Sequence, residues 1–577
     1  MSLRCRILFC LLMVAMVARG EEYCYPIKGV KGLYSASYGE MRPNHFHSGV
    51  DIRTDGVEGK AVVAVADGYV SRIAVAPTGY GLAIYVAHPD KGTMSVYAHL
   101  SRLRKDMADY LVKARYERKL NRLNLFPDKG MFPVMQGDTI AYSGNSGSSF
   151  GPHLHFEMRD VEGNQTFNPI QRGVLSPKDT IPPRILKLHY VALESLGCGE
   201  CGRVSGSYTP RYSEGKYLVD GCVEVGAKGY FVVEVRDNRN GSSNRFGIYR
   251  ATMAVDGTPR FEYSIDRFAF ADTRHCNVVS FYPLQRKAKC EVLRLAKLDL
   301  APDYLYNTSL GDGIVECRDG EGGRVAVVVE DECGNGTKLE FTMVGKVPTE
   351  APVAPTTNEA VVVERPLLDG KEAWSVKEEG FSLFVPRGAL YEVEPYEAER
   401  VEGVALADTT LMVLSPLYRI FNEDTAFNKA VKVHFNMVES PYNNRACVAT
   451  IDERGRAKYL GGEWRGDGVE VVFRRGGVMA VVADVDAPTI RPRFKARADM
   501  RGVSRLVFDV KDNFSKVRSY TLYIDGEWRS VDYQPIKGEM VHRFDLPLCG
   551  SGVWHNVRLE VEDCCGNKAV WQGEILK

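Results

Sequence analysis

The 577-residue sequence has no excess charge of either sign and no long apolar run after its first twenty residues. Lysine plus arginine and aspartate plus glutamate both number 74, so the formal net charge is zero. Nucleic acid is therefore not an expected partner, and no stable membrane span is expected in the mature chain. Cysteine is missing between Cys24 and Cys198. A metal held in that segment would need histidine and carboxylate ligands.

The first twenty residues are predicted to be a signal peptide. Arg4 and Arg6 precede an apolar run over 7–18, and Ala18-Arg19-Gly20 offers the small residues that a signal peptidase reads. The mature chain would start at Glu21 and act in the periplasm or outside the cell, in the cell envelope. An uncleaved membrane anchor is the less favoured alternative, because the run is short for a bilayer span.

Export changes the interpretation of the cysteines. The chain has 14, and removing Cys5 and Cys10 with the leader leaves an even number in a compartment where disulfides persist. Cys198-Gly-Glu-Cys201 has the spacing of a zinc ribbon or a redox motif. With so many other cysteines in an exported chain, disulfide pairing is the favoured interpretation.

The pattern of apolar residues predicts a mainly β protein with one inserted helix. Short alternating runs are separated by turn residues, and Pro89-Asp90-Lys91-Gly92 joins two of them into a hairpin. Between Leu103 and about Leu123 the apolar residues change to helical spacing. The insertion spans about 101–130, and its many charges are assigned to a solvated face rather than to an acidic substrate.

Two later segments of the chain repeat one another. FVVEVRDN (231–238) and VVVEDECGNG (327–336) recur in the same order as LVFDVKDN (506–513) and LEVEDCCGNK (559–568). Strand-like runs that end in Asp, Asn and Gly turns are typical of a duplicated β-sandwich of the immunoglobulin-like type.

The chemistry is concentrated in the first third of the chain. Residues alternate faces along a strand, so His153 and His155 project to one side, after a Gly/Ser run that suits a closely packed loop. Together with His47 and Asp51, His155 completes a set of two imidazoles and a carboxylate, which binds Zn²⁺ and leaves a position for water. His99 and His153 remain beside that set.

These motifs resemble a known family. The pattern HxGxD at 47–51, YAHL at 97–100 and GNSGSSFGPHLHFE ending at Glu157 closely resemble the lysostaphin-like (LytM-domain) zinc metalloendopeptidases, which cleave the peptide part of peptidoglycan. Gly39 and Arg42, which precede the first motif, also agree. The resemblance covers about residues 30–170.

The resemblance implies a role for each of five residues. His47, Asp51 and His155 would ligate zinc, while His99 and His153 would do the catalytic proton and charge work. The metal would lower the pKa of a bound water and polarise the scissile carbonyl. Which of the two histidines is the general base stays open. All five are present, whereas non-catalytic relatives typically lack some of them.

The remaining polar residues either allow two interpretations or are expected to have no role in catalysis. Glu157 shares a strand face with His155 and either orients that ligand or forms an ordinary surface salt bridge. His45 is interpreted as a neighbour of the site rather than as a ligand. Core or surface positions are the default for the other histidines: His88, His189, His275, His434, His542 and His555.

We therefore expect a zinc metalloendopeptidase that hydrolyses peptide bonds in peptidoglycan stem peptides or cross-bridges, in cell-wall remodelling. Two alternatives stay open, a non-hydrolytic cell-wall binding or activator protein and a metallopeptidase acting on a surface protein. Peptidoglycan peptides are the expected partners, with other envelope proteins as candidates for the C-terminal β-domains.

The sequence also predicts the order of the domains along the chain. A signal peptide (1–20) is followed by an antiparallel β-sheet metallopeptidase domain with a helical insertion (21–178) and by an Ig-like β-sandwich with an insertion (179–346). A Pro-rich linker (347–360) then leads to a β-rich domain with weak ZU5-like resemblance (361–485) and to a second Ig-like β-sandwich (486–577).

Overall fold

A computed structural model of the chain describes residues 23–196, 199–346, 366–546, 548 and 552–577. The predicted signal peptide, Cys198 and the Pro-rich linker lie outside the described residues. The described part is mainly β, as the sequence predicts. None of its helices is long and apolar enough to span a membrane. It divides into two units, one formed by 23–38, 48–113 and 122–178, and the other by 39–47, 114–121 and the described residues from 179 onward.

The first unit is built on an antiparallel sheet with a smaller one beside it. The larger sheet places the strand His153–Asp160, called here the histidine strand, between Val50–Arg53 and Thr93–Ala98. Its order is Tyr34–Ala36, Val50–Arg53, His153–Asp160, Thr93–Ala98, Leu82–His88, Gly68–Val75 and Leu123–Leu125, with Pro133–Val134 on Gly68–Val75 and Gln165–Phe167 on the histidine strand. The smaller sheet has the order Ala61–Val63, Thr139–Ser143 and Leu100–Leu103.

The predicted hairpin is confirmed, and the predicted helix is shorter than its pattern suggested. Leu82–His88 pairs with Thr93–Ala98 across a 3₁₀ turn at Pro89–Lys91. The helix runs over Lys105–Arg118. Leu103 ends a strand instead, because Leu100–Leu103 pairs with Thr139–Ser143. The helical stripe begins one turn later and is buried at Met107, Leu111 and Ala114.

In the second unit, the first copy of the repeat has two sheets. One has the order Gly199–Tyr208, Arg184–Leu196, Lys228–Arg236 and Glu291–Arg294, with Val315–Glu316 on Lys228–Arg236. The other has the order Arg211–Ser213, Lys216–Val225, Gly336–Gly345, Gly322–Glu330, Arg250–Val255 and Thr258–Ser264. A short pair, Met41–Arg42 with His45–Phe46, also belongs to this unit. The other elements are Arg267–Ala269, the helices Cys276–Val279 and Tyr282–Gln285, and the 3₁₀ turns Phe270–His275, Asp303–Leu305 and Thr308–Leu310.

The next part of the chain packs two more sheets around a core of aromatic and branched side chains that includes Phe381, Phe427 and Val481. The first sheet has the order Trp374–Glu378, Phe381–Val385, Ala426–Asn436, Gly468–Arg475 and Glu463–Arg465. The second has the order Ala398–Val401, Leu417–Ile420, Gly477–Ala483, Ala446–Ile451 and Ala457–Gly461, with Met412–Val413 on Gly477–Ala483. Leu367–Leu368 pairs with Glu394–Pro395, and Asn443–Arg445 is a 3₁₀ turn.

The second copy of the repeat shares the central strand order of the first and differs from it at the sheet edges. Its larger sheet runs Arg497–Asp499, Lys568–Leu576, Trp554–Asp563, Val517–Ile524 and Glu527–Arg529, and its smaller sheet runs Thr489–Pro492, Arg505–Lys511, Glu539–Arg543 and Asp532–Gln534. In both copies the larger sheet contains one parallel pair, Lys216–Val225 with Gly336–Gly345 and Arg497–Asp499 with Lys568–Leu576. The repeat found in the sequence is therefore a repeat of topology, while its Ig-like assignment and the domain boundaries stay predictions.

The cysteines that the structure describes are free thiols: Cys24, Cys201, Cys222, Cys276, Cys290, Cys317, Cys333, Cys447, Cys564 and Cys565. The disulfide pairing expected of an exported chain is therefore not seen among the described cysteines, Cys201 included, while Cys198 lies outside the described residues.

Candidate active site

The histidine strand holds the centre of the site. Leu154 is fully buried in the core, and His153 and His155 project to the opposite face, as the alternation predicts. Asp51 lies directly opposite His155 on the neighbouring strand. Cross-strand neighbours of this kind are close enough for their side chains to meet.

His47, Asp51 and His155 come together as a buried group. Each offers a ligand atom, and these atoms all lie within 4.8 Å of one another. The side chain of His155 is 4% exposed, and its Nδ1 lies 2.8 Å from Oδ1 of Asp51. A buried set of two nitrogens and one carboxylate oxygen fits a divalent transition metal with an open position, and it fits poorly with a purely structural role.

Glu157 is fully buried and fixes His155 from its other side. Oε1 of Glu157 lies 2.7 Å from Nε2 of His155 and accepts hydrogen bonds at 2.5 Å from the hydroxyls of Ser48 and Tyr80. Oε2 accepts from Nε of Arg159 at 2.6 Å. A carboxylate on the second nitrogen of a ligating histidine sets its tautomer and orientation. Of the two interpretations left open by the sequence, the orienting one matches this geometry, and a surface salt bridge does not.

The charges of the neighbouring side chains favour a positively charged group or ion at this site. Burial lowers the pKa of His155, but its hydrogen bonds to Asp51 and Glu157 outweigh that effect and raise the pKa to about 9. Burial also opposes ionisation of Glu157, yet the nearby Arg159 and His155 hold its pKa well below the usual range. The site therefore places a carboxylate beside each nitrogen of one imidazole, an arrangement that a cation would stabilise.

His99 and His153 lie against this group, each oriented by the Gly/Ser loop. Nδ1 of His99 donates to the carbonyl of Ser146 at 2.8 Å, and Nδ1 of His153 lies 2.9 Å from the carbonyl of Gly151. Their ring centroids are 4.7 Å apart. With Nδ1 as the donor in each ring, Nε2 is the basic nitrogen. In His153 this nitrogen lies 3.5 Å from Oδ1 of Asp51.

His99 has two properties typical of a catalytic position. Its φ is 58°, in the left-handed region that non-glycine residues rarely occupy. Burial, together with the neighbouring His153 and His155, lowers its pKa to about 3. At neutral pH the ring is therefore uncharged, and its Nε2 is a hydrogen-bond acceptor.

Comparison with known proteins agrees with this geometry. Residues 45–115 match the sequence profile of Peptidase family M23. The chain carries an M23 peptidase domain of the LytM type. Separately, residues 366–484 match a Zu5-like domain.

Two curated relatives match part of this chain. An uncharacterized metalloprotease of Haemophilus influenzae is 35% identical over 132 residues, which are 23% of this chain and 21% of the relative. The DD-carboxypeptidase/endopeptidase Mpg of Neisseria meningitidis is 29% identical over 134 residues, 23% of this chain and 24% of the relative. The matched part is thus about a quarter or less of each relative. The catalytic domain of lysostaphin from Staphylococcus simulans is 21% identical with a TM-score of 0.18, over 24% of this chain and 91% of that domain.

Within the M23 domain, the structure brings together all five residues that the sequence singled out, and it leaves His45 outside. His45 is exposed, and its Nδ1 lies 3.1 Å from the carbonyl of Pro43. The sequence reasoning missed three partners of Glu157. Arg159 was detectable, because it follows Glu157 on the same strand face, whereas Ser48 and Tyr80 reach the carboxylate through the fold and have no local sequence signal.

Proposed function

We propose that the M23 domain is a zinc-dependent metalloendopeptidase that hydrolyses peptide bonds in peptidoglycan stem peptides or cross-bridges. The observation that carries the proposal is the buried His47, Asp51 and His155 group with two oriented histidines beside it. A binding or activator protein has no chemical need for the two additional histidines. The activity named for the Neisseria relative, DD-carboxypeptidase/endopeptidase, supports the substrate class.

The proposed roles follow from the chemistry of these groups. His47, Asp51 and His155 would hold zinc, which supplies a Lewis acid and lets water act as a nucleophile at neutral pH. Glu157 holds His155 in the ligating orientation. Nε2 of His99 or His153 accepts the proton of the attacking water and returns it to the leaving amine, and the protonated ring stabilises negative charge on the carbonyl oxygen.

The decisive test combines metal content with hydrolysis. The mature chain should hold one zinc ion in the M23 domain and release new peptide termini from purified peptidoglycan. His155→Ala should lose that zinc and hydrolysis together. His45→Ala is the matched control, because it removes an exposed imidazole from the same segment, and it should retain both. Hydrolysis by His155→Ala at the unmodified rate would refute the proposed site.

Substrate choice needs a second comparison. Peptidoglycan and a panel of folded and unfolded proteins are offered to the same enzyme. Release of termini from peptidoglycan alone supports a cell-wall hydrolase, whereas cleavage of proteins alone supports the alternative of a peptidase acting on a surface protein. Bound zinc with no product from either would favour a binding or activator role.

We also propose that the protein is exported and acts in the cell envelope, with peptidoglycan peptides as its ligand and the C-terminal β-domains contacting the wall or other envelope proteins. The support is the leader-like sequence of residues 1–20 and the location of the proposed substrate. Fractionation of cells that express the full chain, with N-terminal sequencing of the product, tests this. A mature chain beginning near Glu21 in an envelope fraction is the expected result.

A further inference from the structure

Two groups of acidic side chains occur in the second unit, one in each copy of the repeat. The first cluster is built on Asp179 and Asp331, to which Asp237 is assigned as the counterpart of Asp512, and the second cluster consists of Asp484, Asp512 and Asp563. In the second cluster one oxygen from each carboxylate lies within 4.8 Å of the other two. In the first cluster the same distance relates Asp179, Asp331 and the sulfur of Cys333. Neither cluster contains a residue of the candidate active site.

The two clusters occupy equivalent places in the fold. Asp237 and Asp512 each follow directly after a matching strand, Lys228–Arg236 in the first copy and Arg505–Lys511 in the second. Asp179 and Asp484 each stand four residues before a proline, Pro183 or Pro488, at the start of a copy. Asp331 and Asp563 are the Asp of the repeated Asp-x-Cys-Gly-Asn turn.

The hydrogen bonds that hold the clusters are repeated as well. Asp179 accepts from the backbone N–H of Asn240 at 3.1 Å, and Asp484 accepts from that of Ser515, its counterpart, at 3.1 Å. Asp331 and Asp563 accept from the side-chain amides of Asn335 and Asn567, both at 2.7 Å. The same arrangement has thus been kept in two copies whose surrounding sequences differ.

The observation that points to a ligand is the presence of buried carboxylate oxygens that lack hydrogen-bond donors. Asp237 is 0% exposed, and neither of its carboxylate oxygens accepts a hydrogen bond of normal geometry from the residues that the structure describes. One buried oxygen of Asp179 and one of Asp512 are in the same condition. A buried carboxylate oxygen with no donor costs free energy unless a cation or water meets it.

The electrostatics agree with that requirement. Burial and the carboxylate of Asp331 raise the pKa of Asp237 to about 8, and Asp179 adds to the repulsion. In the second cluster, burial and the other two carboxylates raise the pKa of Asp512. Arg239 lies near Asp237, but its guanidinium is engaged by Glu332. A divalent cation among the three carboxylates would remove the repulsion in either copy.

The ligand atoms favour calcium over a softer metal. The three aspartates of the second cluster supply only oxygen, the donor type that Ca²⁺ prefers, and no histidine belongs to either group. The sulfur of Cys333 lies in the first group, whereas the second group consists of carboxylates alone, so sulfur is not a shared feature of the two sites. The counterpart of Cys333 is Cys565, which packs with Cys447 in a hydrophobic cluster.

We propose that each cluster is a calcium site, so that the second unit binds two calcium ions at equivalent positions of its repeat. Ions held by three loops that are distant in sequence would tie together the ends of both sheets in each copy. The inference does not depend on the proposed peptidase activity.

Calcium stoichiometry tests the proposal directly. The full mature chain is stripped of metal, dialysed against calcium near 1 mM, the range in which extracellular calcium modules bind, and its bound calcium is measured. Two ions per chain are expected. Asp237→Asn and Asp512→Asn should each lose one ion, and the double variant should lose both. Asp499→Asn, which changes an exposed carboxylate of the second copy, should retain both.

Thermal unfolding gives a second measurement that does not depend on activity. Calcium should raise the unfolding midpoint of the wild type and of Asp499→Asn by several degrees, and that of the double variant by much less. Because each Asn keeps the size of the carboxyl group and cannot become negatively charged, the variants should fold at least as well as the calcium-free wild type. Absence of bound calcium in the wild type, full stoichiometry in the double variant, or preference for zinc over calcium would each overturn the assignment.

Discussion

Glu157 is the residue through which the fold controls the candidate metal site. It has no exposed side-chain surface, and its two oxygens contact His155, Ser48, Tyr80 and Arg159. It therefore joins a proposed zinc ligand to three parts of the first unit. A glutamine would keep the size but lose the charge, and its amide would have to donate where the carboxylate only accepts.

Replacing Glu157 should weaken zinc binding without removing a ligand. Glu157→Gln is expected to lower the zinc affinity about 10- to 100-fold, because His155 loses the acceptor that fixes its orientation. Competition with a zinc-binding indicator measures the change. Glu162→Gln, an exposed position just after the histidine strand, serves as the control. Equal affinities for the two variants would show that Glu157 does not position the ligand.

At the scale of elements, the site depends on a close approach between the backbone just before Val50–Arg53 and the histidine strand. The space between them is too small for any side chain. A Cβ added at Gly49 would lie 2.3 Å from the carbonyl oxygen of Phe156, on the histidine strand. This explains the glycine of the HxGxD motif, which stands between two proposed ligands. The Gly/Ser loop is similar, because a Cβ at Gly147 would lie 2.3 Å from the backbone nitrogen of Gly81.

Gly49→Ala should therefore separate the ligand-bearing strands. The obstructing atom is backbone and cannot rotate away, so we expect a destabilisation of about 1–3 kcal/mol, typical of overpacking, together with weaker zinc binding. Thermal unfolding and zinc titration of the same sample measure both effects. Gly151→Ala is the control, because it lies beside His153 with nothing within 4 Å of the added Cβ. Two variants with indistinguishable zinc affinity would contradict this account.

The elements of the site differ in how far the sequence predicts them. The alternation of His153 and His155 and the hairpin at Pro89–Lys91 follow from local rules of strands and turns. The helix start was misplaced because Leu103 fits the helical spacing but is held in a strand by Thr139–Ser143. The spacing of apolar residues indicates only the local preference of the chain for a helix. Pairing with a strand that is distant in sequence can override that preference.

At the scale of the whole chain, the sequence revealed the repeat but not the function of its turns. The Asp, Asn and Gly residues of the repeat were interpreted as turn formers. Asp179 and Asp331 are about 150 residues apart, and only the packing of the sheets brings them together. A local sequence pattern gives no information on how close two distant segments lie in the fold. The acidic clusters therefore could not be predicted, whereas the histidine pair on one strand could.

A buried histidine and a half-buried glutamate of the second unit should give the chain's stability opposite responses to pH. His542 is 1% exposed, and burial lowers its pKa to about 4. Burial and the nearby Glu392 raise the pKa of Glu394 to about 8. The unfolded chain protonates the histidine near its ordinary value of 6.5, so this contribution is complete above that pH and is lost as the pH falls towards 4. The unfolded glutamate ionises near 4.5, so its contribution is complete below that pH and is lost as the pH rises through 8.

Between about pH 4.5 and 6.5 the two slopes, each about 1.4 kcal/mol per pH unit, should cancel. His542→Asn removes the acid-sensitive term, so its stability relative to wild type should rise as the pH falls through this window. Glu394→Gln removes the other term, so its relative stability should rise as the pH increases from 4.5 to 8. Denaturant titrations of the full chain at four pH values measure both differences, with the exposed Glu453→Gln as the control. Because the two variants must diverge from wild type in opposite directions, parallel curves for all three would show that neither group is buried in the charge state assigned to it.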